Sequence, residues 1–352
     1  MAVGTIILTV NPGSNSLQVH VVESGKVITA VTQEGHSADA FAKLELTGSV
    51  DAVGHRLVHG GPHLRQPTVV TDKVLSKVEE AAALAPLHVP ITLKLLDMAR
   101  ERFPGVPHVL CPDTAFHASL GDVAITYPLP AEWRARYGLR RYGFHGLSYA
   151  WATSRAAAIL DRPASEVSLL LAHLGGGCSV CAVRDGSSVD TSMGFTPLEG
   201  VPMSTRSGSV DPGMLLWLLE RMSLDEVREG LYHESGLLGL SGGFSSDTRD
   251  LVREHCDLAL GVFTHRVSQA LAAMSVNLPR IDGLVFTGEI GWDQPEVRAA
   301  VCRGLTRLGI PAALNPNPTE DTIISSPHAP IPVLAVEPHE ELEIARETAQ
   351  LI

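Results

Sequence analysis

The sequence predicts an α/β protein of two duplicated domains, and three observations favour this fold. The chain has 352 residues, which is long enough to build two hydrophobic cores. Near its start, a β-rich run over 5–10 is followed by a polar turn and by an alternating strand over 17–21. The same plan returns over 168–183. This repeat predicts two similar halves, and a cleft between them would suit a phosphorylated ligand.

The segment between the two hairpins is predicted to be helical, and the second half of the chain to contain further helices and one more strand. Apolar residues recur at helical spacing in both regions, and Pro86 and Pro104-Gly105 end the first two helices. An apolar strand is expected over 284–286. The predicted helices cover 73–85, 91–102, 214–221, 224–231, 247–276 and 340–351.

Composition argues against several classes of protein. A formal net charge of −12 and the lack of a dense Lys/Arg block argue against nucleic-acid binding. The N-terminal residues lack the pattern of a secretory signal, and no stretch is long and apolar enough to span a bilayer. Five scattered cysteines suit a reducing cytoplasm, and Cys178-x-x-Cys181 has no second ligand pair beside it. We expect a cytoplasmic protein with small-molecule partners and no nucleic-acid or membrane partner.

The segment 191–213 is too rich in glycine and proline to form a regular helix or strand, so it is predicted to be a shaped loop. Within it, Arg206 stands between hydroxyl residues and Ser207-Gly208. A planar, bidentate guanidinium in such a loop is suited to a carboxylate or a phosphate. An ordered surface loop with an incidental arginine explains this segment alone equally well.

Three further residues carry chemistry of the same kind. Arg56 follows an apolar stretch and precedes a glycine pair, and His145 follows two arginines in RRYGFHG. Asp113 comes directly after an apolar run, which predicts a position at the carboxyl end of a strand, where α/β sheets place reactive groups. Each residue alone is equally compatible with a buried, paired polar group. Their occurrence together favours an anion site.

A series of motifs resembles the acetate and propionate kinase family in that family's order. These motifs are GHRLVHGG, APLH, PDTAFH, RRYGFHG, AHLGGG, TSMGFTPLEG-VPMSTRSG, ESGLLGLSGG-SSDTRDL, VFTGEIG and HEELEIARET. The resemblance spans nearly the whole chain and is far more specific than a lone glycine motif. It implies the duplicated ribonuclease H-like fold of sugar kinases, Hsp70 and actin, with an interdomain cleft. It also implies reversible, in-line phosphoryl transfer between ATP and acetate or propionate, with Mg²⁺ or Mn²⁺, and a homodimer.

The resemblance implies three domain ranges. An N-terminal α/β domain is expected over 1–150 and carries much of the acyl site. A C-terminal α/β domain over 151–335 carries the nucleotide-side motifs, and a terminal helix over 336–352 packs back on the first domain.

The resemblance also implies roles for individual residues. Arg56 and Arg206 hold the acyl carboxylate and the transferring phosphoryl group, His145 hydrogen-bonds the developing charge, and Asp113 is the catalytic aspartate. The positions near the divalent metal are Asn11 and Glu340. The apolar pocket for the acyl methyl is formed by Val58, Leu87, Phe144 and Pro197. The nucleotide (ATP or ADP) is bound by His173, Leu174, Gly175, Gly176, Gly177, Asp247, Thr248, Arg249, Gly288, Glu289, Ile290 and Gly291.

The donor side departs from the family pattern. Gly176 replaces an asparagine, Asn15 a serine, Gln18 a lysine and Glu289 a glycine, while Trp292 follows shortly after. Glu289 is expected either to narrow the nucleotide subsite or to point into solvent. Two alternatives therefore stand beside the ATP-dependent kinase: an enzyme that uses phosphate or pyrophosphate, and a catalytically weak relative that binds acyl phosphate.

Overall fold

The computed structural model describes residues 4–13, 16–37, 39–44, 49–85, 88–315 and 318–352. Leu87 of the predicted acyl pocket, Asn15 of the first turn and the predicted helix stop Pro86 lie outside the described residues. Among those described, no helix combines the length and the apolar character needed to cross a membrane.

The regular elements are as follows. The strands are β1 Ile6–Pro12, β2 Ser16–Glu23, β3 Lys26–Glu34, β4 Ala52–Leu57, β5 Thr68–Val69, β6 His108–Pro112, β7 Ser168–Leu174, β8 Cys178–Arg184, β9 Ser187–Thr191, β10 Gly283–Thr287, β11 Thr322–Ile323 and β12 Val333–Ala335. The α-helices are α1 Asp39–Ala42, α2 Asp72–Ala81, α3 Val89–Arg102, α4 Asp122–Ile125, α5 Ala131–Tyr137, α6 Gly146–Ile159, α7 Pro212–Leu219, α8 Leu224–His233, α9 Gly236–Leu240, α10 Thr248–Arg253, α11 Asp257–Met274, α12 Gly288–Asp293, α13 Pro295–Gly304 and α14 Glu340–Ala349.

These elements belong to two units that the chain enters more than once. Unit 1 consists of Met1–Ala118, Phe144–Trp151 and His339–Ile352. Unit 2 consists of Ser119–Gly143 and Ala152–Pro338. The units are therefore not consecutive stretches of chain, whereas the predicted division used consecutive ranges.

The two sheets have the same topology, which confirms the predicted duplication. In unit 1 the strand order is β3-β2-β1-β4-β6-β5, and in unit 2 it is β9-β8-β7-β10-β12-β11. In both sheets the first strand of the hairpin is antiparallel to the second and parallel to the next central strand. A two-residue strand, β5 or β11, closes one edge of each sheet in antiparallel pairing. The α/β fold with two duplicated halves is thus confirmed.

One predicted helix is wrong in its extent. The sequence predicted a continuous helix over 247–276, but the structure has two helices, α10 and α11, separated by a turn. At this turn His255 has a positive φ of 54°, and the amide of Cys256 donates to the carbonyl of Leu251 at 2.9 Å. A left-handed residue followed by such a backward hydrogen bond ends a helix. Apolar spacing continues through the turn, so periodicity alone did not reveal it.

The terminal helix α14 packs on the sheet of unit 1. Its Ala345 lies in a buried cluster with residues of β1, β2 and β4, and Ile344 contacts the apolar side chains of β6. Gly54 of β4 permits this approach, because a Cβ atom there would lie 2.2 Å from Thr348 Oγ1 and 2.7 Å from Ile344 Cγ2. The start of α14 is thereby brought to the carboxyl ends of the central strands.

Two buried histidines, His55 on β4 and His108 on β6, form a hydrogen-bonded pair beneath this edge. His55 Nε2 lies 3.0 Å from His108 Nδ1, and His108 Nε2 lies 3.4 Å from the carbonyl oxygen of Phe103. Since the carbonyl only accepts, His108 Nε2 carries a proton, and His55 Nε2 then donates to His108 Nδ1. Burial lowers the pKa of both rings, and His108 lowers the pKa of His55 further. Both histidines are therefore neutral in the folded protein.

This neutral pair predicts a loss of stability in acid. Because the folded pKa values lie below the ordinary value, the unfolded chain binds protons below about pH 6.5 that the folded chain does not, so stability falls as the pH falls. We expect a slope of up to about 1.4 kcal/mol per pH unit for each histidine. Urea unfolding monitored between pH 7.5 and 5 measures it. His108→Gln should remove this contribution, so that its stability falls less, or rises more, than that of wild type as the pH falls, whereas the exposed control His63→Asn should keep the wild-type slope; equal slopes in all three proteins would contradict this prediction.

Candidate active site

Three polar residues of unit 1 lie at the carboxyl ends of three adjacent parallel strands. β1 pairs with β4 so that Val10 faces His55, and β4 pairs with β6 so that Leu57 faces Pro112. This register brings together Asn11 near the end of β1, Arg56 near the end of β4 and Asp113 directly after β6. Their proximity follows from the sheet itself, since parallel strands end at one edge.

The Arg56 guanidinium is held by groups from three other segments. Its Nε and Nη2 donate to Asp113 Oδ2 at 3.0 and 2.7 Å, and its Nη1 donates to Asn11 Oδ1 at 3.1 Å. Nη1 also lies 3.1 Å from Glu340 Oε2, and Asn11 Nδ2 donates to that same oxygen at 3.1 Å. We call Asn11, Arg56, Asp113 and Glu340 the arginine cluster. The structure thus brings together four of the predicted site residues.

Burial and charge set the protonation of this cluster. The Asp113 side chain is 1% exposed, and burial raises its pKa to about 6, although the charge of Arg56 acts to lower it. Burial alone would lower the pKa of Arg56, but the charges of Asp113 and Glu340 outweigh burial and raise it. Arg56 therefore stays a cation, while Asp113 titrates unusually close to neutrality. Perturbed groups of this kind concentrate at functional sites.

His145 is placed beside Asp113 by a constrained turn. It adopts a positive φ of 59°, a conformation that non-glycine residues seldom adopt and that occurs at functional sites. The next residue, Gly146, donates its amide to the carbonyl of Asp113 at 2.9 Å, and a Cβ atom at Gly146 would lie 2.0 Å from that oxygen. Gly146, the last residue of RRYGFHG, is therefore required for this close approach.

The predicted acyl pocket is only partly assembled within one unit. In unit 1, Val58 and Phe144 are buried, and the Phe144 ring lies 5.3 Å edge-on from the ring of His59, the neighbour of Val58. Pro197 belongs to unit 2, where its carbonyl accepts a hydrogen bond from Arg206 Nη1 at 3.0 Å.

The Arg206 loop of unit 2 is an ordered, internally bonded segment, as its composition predicted. The amide of Met203 donates to the carbonyl of Arg206 at 3.0 Å. The amides of Leu237 and Leu238, at the start of α9, donate to the carbonyls of Met203 and Ser204 at 2.9 and 3.0 Å. These bonds fix the backbone on both sides of the guanidinium.

A cavity of about 480 Å³ in unit 2 collects three of the segments predicted to bind nucleotide. It lies beside the Arg206 loop, since the amide of Ser204 donates to the carbonyl of Gly176 at 3.3 Å. We call it the donor pocket. Predicted residues that line it are Gly175, Gly176, Asp247, Thr248, Arg249, Glu289 and Ile290. His173, Leu174, Gly177, Gly288 and Gly291 are not among its lining residues, whereas Ser204, Ser246, Asp293 and Gln294, which sequence reasoning missed, are.

The divergent positions have different consequences in the donor pocket. A Cβ atom at Gly176 would meet nothing within 4 Å, so the missing asparagine leaves open space there. Glu289 is exposed and lines the pocket, whereas Trp292 is half-buried and is not among the lining residues. Asp247 accepts from the amide of Arg249 at 2.8 Å and pairs with its guanidinium at 2.7 Å. The side chain of Arg249 lowers the pKa of Asp247 by hydrogen bonding, so the carboxylate is charged.

The predicted metal positions suit a magnesium ion bound together with a phosphate ligand. Among the described residues, no group of three or more His, Cys, Asp and Glu side chains is arranged to hold a metal by itself. Asn11 and Glu340 are nevertheless adjacent, since Asn11 Nδ2 donates to Glu340 Oε2, and their side chains carry one amide oxygen and one carboxylate. Mg²⁺ is commonly held by one or two such protein oxygens, with substrate phosphates and waters completing its shell.

Comparison with known proteins extends over both units. A sequence model of the acetokinase family matches residues 7–346. The acetate kinase of Deinococcus radiodurans is 45% identical over 339 residues, which cover 91% of this chain and 85% of that protein. The crystal structure of Porphyromonas gingivalis acetate kinase matches with a TM-score of 0.89 and 31% identity over 99% of both chains. A propionate kinase structure from Francisella tularensis matches with a TM-score of 0.87 and 31% identity, over 99% of this chain and 100% of that one.

The arginine cluster predicts separable effects of charge and shape at Asp113. Asp113→Asn keeps the volume and an oxygen that accepts from Arg56, so the thermal unfolding midpoint should stay within a few degrees of wild type. Loss of the charge that orients Arg56 should lower phosphoryl-transfer turnover at least about a hundredfold. Calorimetry and a steady-state assay measure the two effects. Turnover near the wild-type rate would show that Asp113 is only a structural partner of Arg56.

Proposed function

This chain belongs to the acetokinase family, and from that premise we propose that it transfers a phosphoryl group reversibly between ATP and a short-chain carboxylate, acetate or propionate. The products are an acyl phosphate and ADP. The observation that carries the proposal is the arginine cluster, in which a buried cation stands at the carboxyl edge of a sheet beside an acid with a raised pKa. Such a site is built for an anion whose charge is redistributed during reaction.

The reaction needs little covalent help from the protein. A carboxylate oxygen attacks the γ-phosphorus in line, a new O–P bond forms, and the bond to ADP breaks, so no proton has to be removed from the nucleophile. Arg56 orients the carboxylate, and Asp113 orients Arg56. Arg206 and His145 donate to the phosphoryl oxygens, where charge spreads in the transition state. Phe144, Val58 and Pro197 surround the acyl methyl group.

The metal and the nucleotide complete this proposal. Asn11 and Glu340 would hold Mg²⁺ or Mn²⁺, which neutralises phosphate charge when bound. The donor pocket, at about 480 Å³, lies within the size range of small-molecule sites and would hold ATP. A phosphate- or pyrophosphate-dependent kinase is the second candidate, because Gly176 leaves the pocket without the amide side chain expected from the family pattern on the nucleotide side. The arginine cluster argues against a relative without activity.

The free thiols support a cytoplasmic location for this enzyme. All five cysteines are unpaired, and Cys111, Cys178, Cys181 and Cys302 are buried. Burial raises the pKa of Cys178 and Cys181, both on β8, to about 12, so these thiols are inert. Their spacing is structural, and we propose a reducing compartment.

The proposed function predicts strong dependence on Arg206. Arg206→Ala should lower kcat by about two to three orders of magnitude, and Arg206→Lys should recover little, because an ammonium lacks the planar pair of donors. Hydroxylamine trapping of acetyl phosphate, with acetate, Mg²⁺ and ATP, phosphate or pyrophosphate as parallel donors, measures turnover and identifies the donor. Arg303→Ala, on α13, is the matched control and should keep full activity. Near-normal turnover of Arg206→Ala would remove Arg206 from the site.

The donor pocket predicts an effect of Glu289 on nucleotide affinity. Glu289→Gly removes a carboxylate that faces the pocket, so ATP should bind more tightly while the KM for the carboxylate changes little. The effect should be modest, because Glu289 is exposed and its charge is screened. Calorimetric titration of both proteins with ATP and with pyrophosphate measures it, and Glu296→Gly on α13 is the matched control. Unchanged ATP affinity would show that Glu289 points away from the nucleotide.

We also propose that two copies associate through α7. This helix reads PGMLLWLL and has no buried residue, and its Leu216 and Trp217 are 67% and 54% exposed. Beyond the exposed Glu220–Arg221 pair, Met222 and Leu224 are also exposed. The helix itself carries no charged side chain, and the Arg221 guanidinium shortly after it lies 3.8 Å from the centre of the Trp217 ring. An exposed apolar helix of this kind is unusual on a single chain and suits the self-complementary interface of a two-fold dimer.

The dimer proposal is tested by solution mass. Wild type should have the mass of two chains in light scattering at micromolar concentration. Leu216→Glu should give one chain, because each interface would bury two unpaired carboxylates. Trp133→Glu places the same charge on α5, away from α7, and should leave the mass unchanged. A wild-type mass of one chain, or a dimer of Leu216→Glu, would reject α7 as the interface.

A further inference from the structure

A second arginine of unit 2, Arg141, holds together the loop that precedes Arg206. Its Nη1 donates to three successive carbonyls, those of Thr191, Ser192 and Met193, at 3.1, 3.1 and 2.9 Å. Its Nη2 donates to Glu199 Oε1 at 2.9 Å. The Arg141 guanidinium therefore links the start of the loop, 191–193, to Glu199.

Tyr127 binds the same loop through its hydroxyl group. Its hydroxyl donates to Glu199 Oε2 and accepts from the amide of Phe195 at 2.9 Å. The Arg141 guanidinium also lies 5.6 Å from the centre of the Tyr127 ring. We call Tyr127, Arg141 and Glu199 the loop brace.

Gly194 shows how tightly the loop is wrapped around the brace. A Cβ atom at this position would lie 1.6 Å from Glu199 Oε2 and 2.0 Å from the Tyr127 hydroxyl. The carbonyl of Gly194 accepts from the amide of Tyr142 at 3.0 Å. A side chain here would force the Glu199 carboxylate and the Tyr127 hydroxyl to move, because the loop backbone lies directly against both groups.

The loop brace lies next to Pro197, the residue whose carbonyl accepts a hydrogen bond from Arg206. Pro197 lies between Gly194 and Glu199, and its carbonyl accepts from Arg206 Nη1 at 3.0 Å. On the other side of Glu199, the amide of Gly200 donates to Ser209 Oγ, and the amide of Ser209 donates back to the Gly200 carbonyl at 2.8 Å. The contacts of the loop brace at Phe195 and Glu199 therefore flank Pro197, two residues away on each side.

We propose that Tyr127, Arg141 and Glu199 are positioning residues that act through Arg206. We assign Arg141 to the loop, because its Nη1 and Nη2 donate to the loop carbonyls and to Glu199. The ion pair between Glu199 and Arg141 holds the backbone of Pro197 in place, and the Pro197 carbonyl orients the Arg206 guanidinium by accepting its hydrogen bond. The kinetic part of this inference rests on the proposed carboxylate kinase function.

A double-mutant cycle tests whether the brace works through Arg206. Tyr127→Phe removes the hydroxyl that joins Glu199 to the amide of Phe195, and should lower kcat about ten- to a hundredfold by misplacing the guanidinium. In the Arg206→Ala background the same change should alter kcat by less than about twofold, because no guanidinium remains to be misplaced. Effects that multiply in the double variant would overturn the inference. Glu199→Gln, which keeps the shape of the carboxyl, should behave like Tyr127→Phe.

The controls separate failure of this inference from failure of the proposed function. Tyr137→Phe removes an exposed hydroxyl on α5 and should keep wild-type kcat. Hydrogen exchange provides a readout without activity: in Tyr127→Phe the amides of 191–200 should exchange faster, with β7 and β10 unchanged. If wild type shows no kinase activity, the proposed function fails and exchange alone decides the inference. Loop exchange equal to wild type would overturn it in either case.

Discussion

The burial of the Arg56 cation constrains the rest of unit 1. A guanidinium whose side chain is 14% exposed must be surrounded by acceptors, because an unpaired buried charge is costly. Asn11, Asp113 and Glu340 supply those acceptors from two other strand ends and from the last helix. The chain therefore has to bring Glu340 across 329 residues to Asn11, and it does so by packing α14 on the sheet. The same acceptors leave Arg56 charged and rigidly oriented, as anion chemistry requires.

Glycines at three positions allow backbone segments to pack closely around the proposed sites. Gly54 lets α14 lie directly on β4, and Gly146 lets the turn after His145 dock on the carbonyl of Asp113. In unit 2, Gly288 has a φ of 77°, and a Cβ atom there would lie 2.5 Å from the carbonyl oxygen of Leu174. This approach joins the start of α12 to the end of β7, next to the glycine turn of the donor pocket. Gly288 therefore shapes the pocket without lining it.

The two sides of the proposed reaction are built differently. In the arginine cluster, Nε, Nη1 and Nη2 of Arg56 all have acceptors. The donor pocket is open, it is lined by backbone and by charged side chains at its rim, and it has free space at Gly176. An open pocket tolerates substitution, since a changed side chain there disturbs few other contacts.

Much of the fold was readable from local sequence. The hairpins around 11–16 and 174–178, the short apolar strands and the capped helices follow from two-residue alternation, turn residues and helix signals that act over a few positions. Repetition of the hairpin indicated the duplication, and the two sheets share one strand order. The loop character of 191–213 followed from its glycine and proline content. The break between α10 and α11 could not be predicted in this way, because the single left-handed residue His255 leaves the apolar spacing of the sequence intact.

The sequence predicted which residues belong to the candidate site better than it predicted the hydrogen bonds between them. Motif resemblance named Asn11, Arg56, Asp113 and Glu340, but their mutual hydrogen bonds depend on strand order and on where α14 docks. The loop brace carried no signal in the sequence: Tyr127 lies outside every motif, and Arg141 stood out only as one of the two arginines before His145 in RRYGFHG. The sequence by itself determined the elements, the repeat and the residues able to do the chemistry, because these depend on neighbouring positions. Tertiary structure alone decided which guanidinium meets which carboxylate, because that choice depends on apolar burial between distant segments.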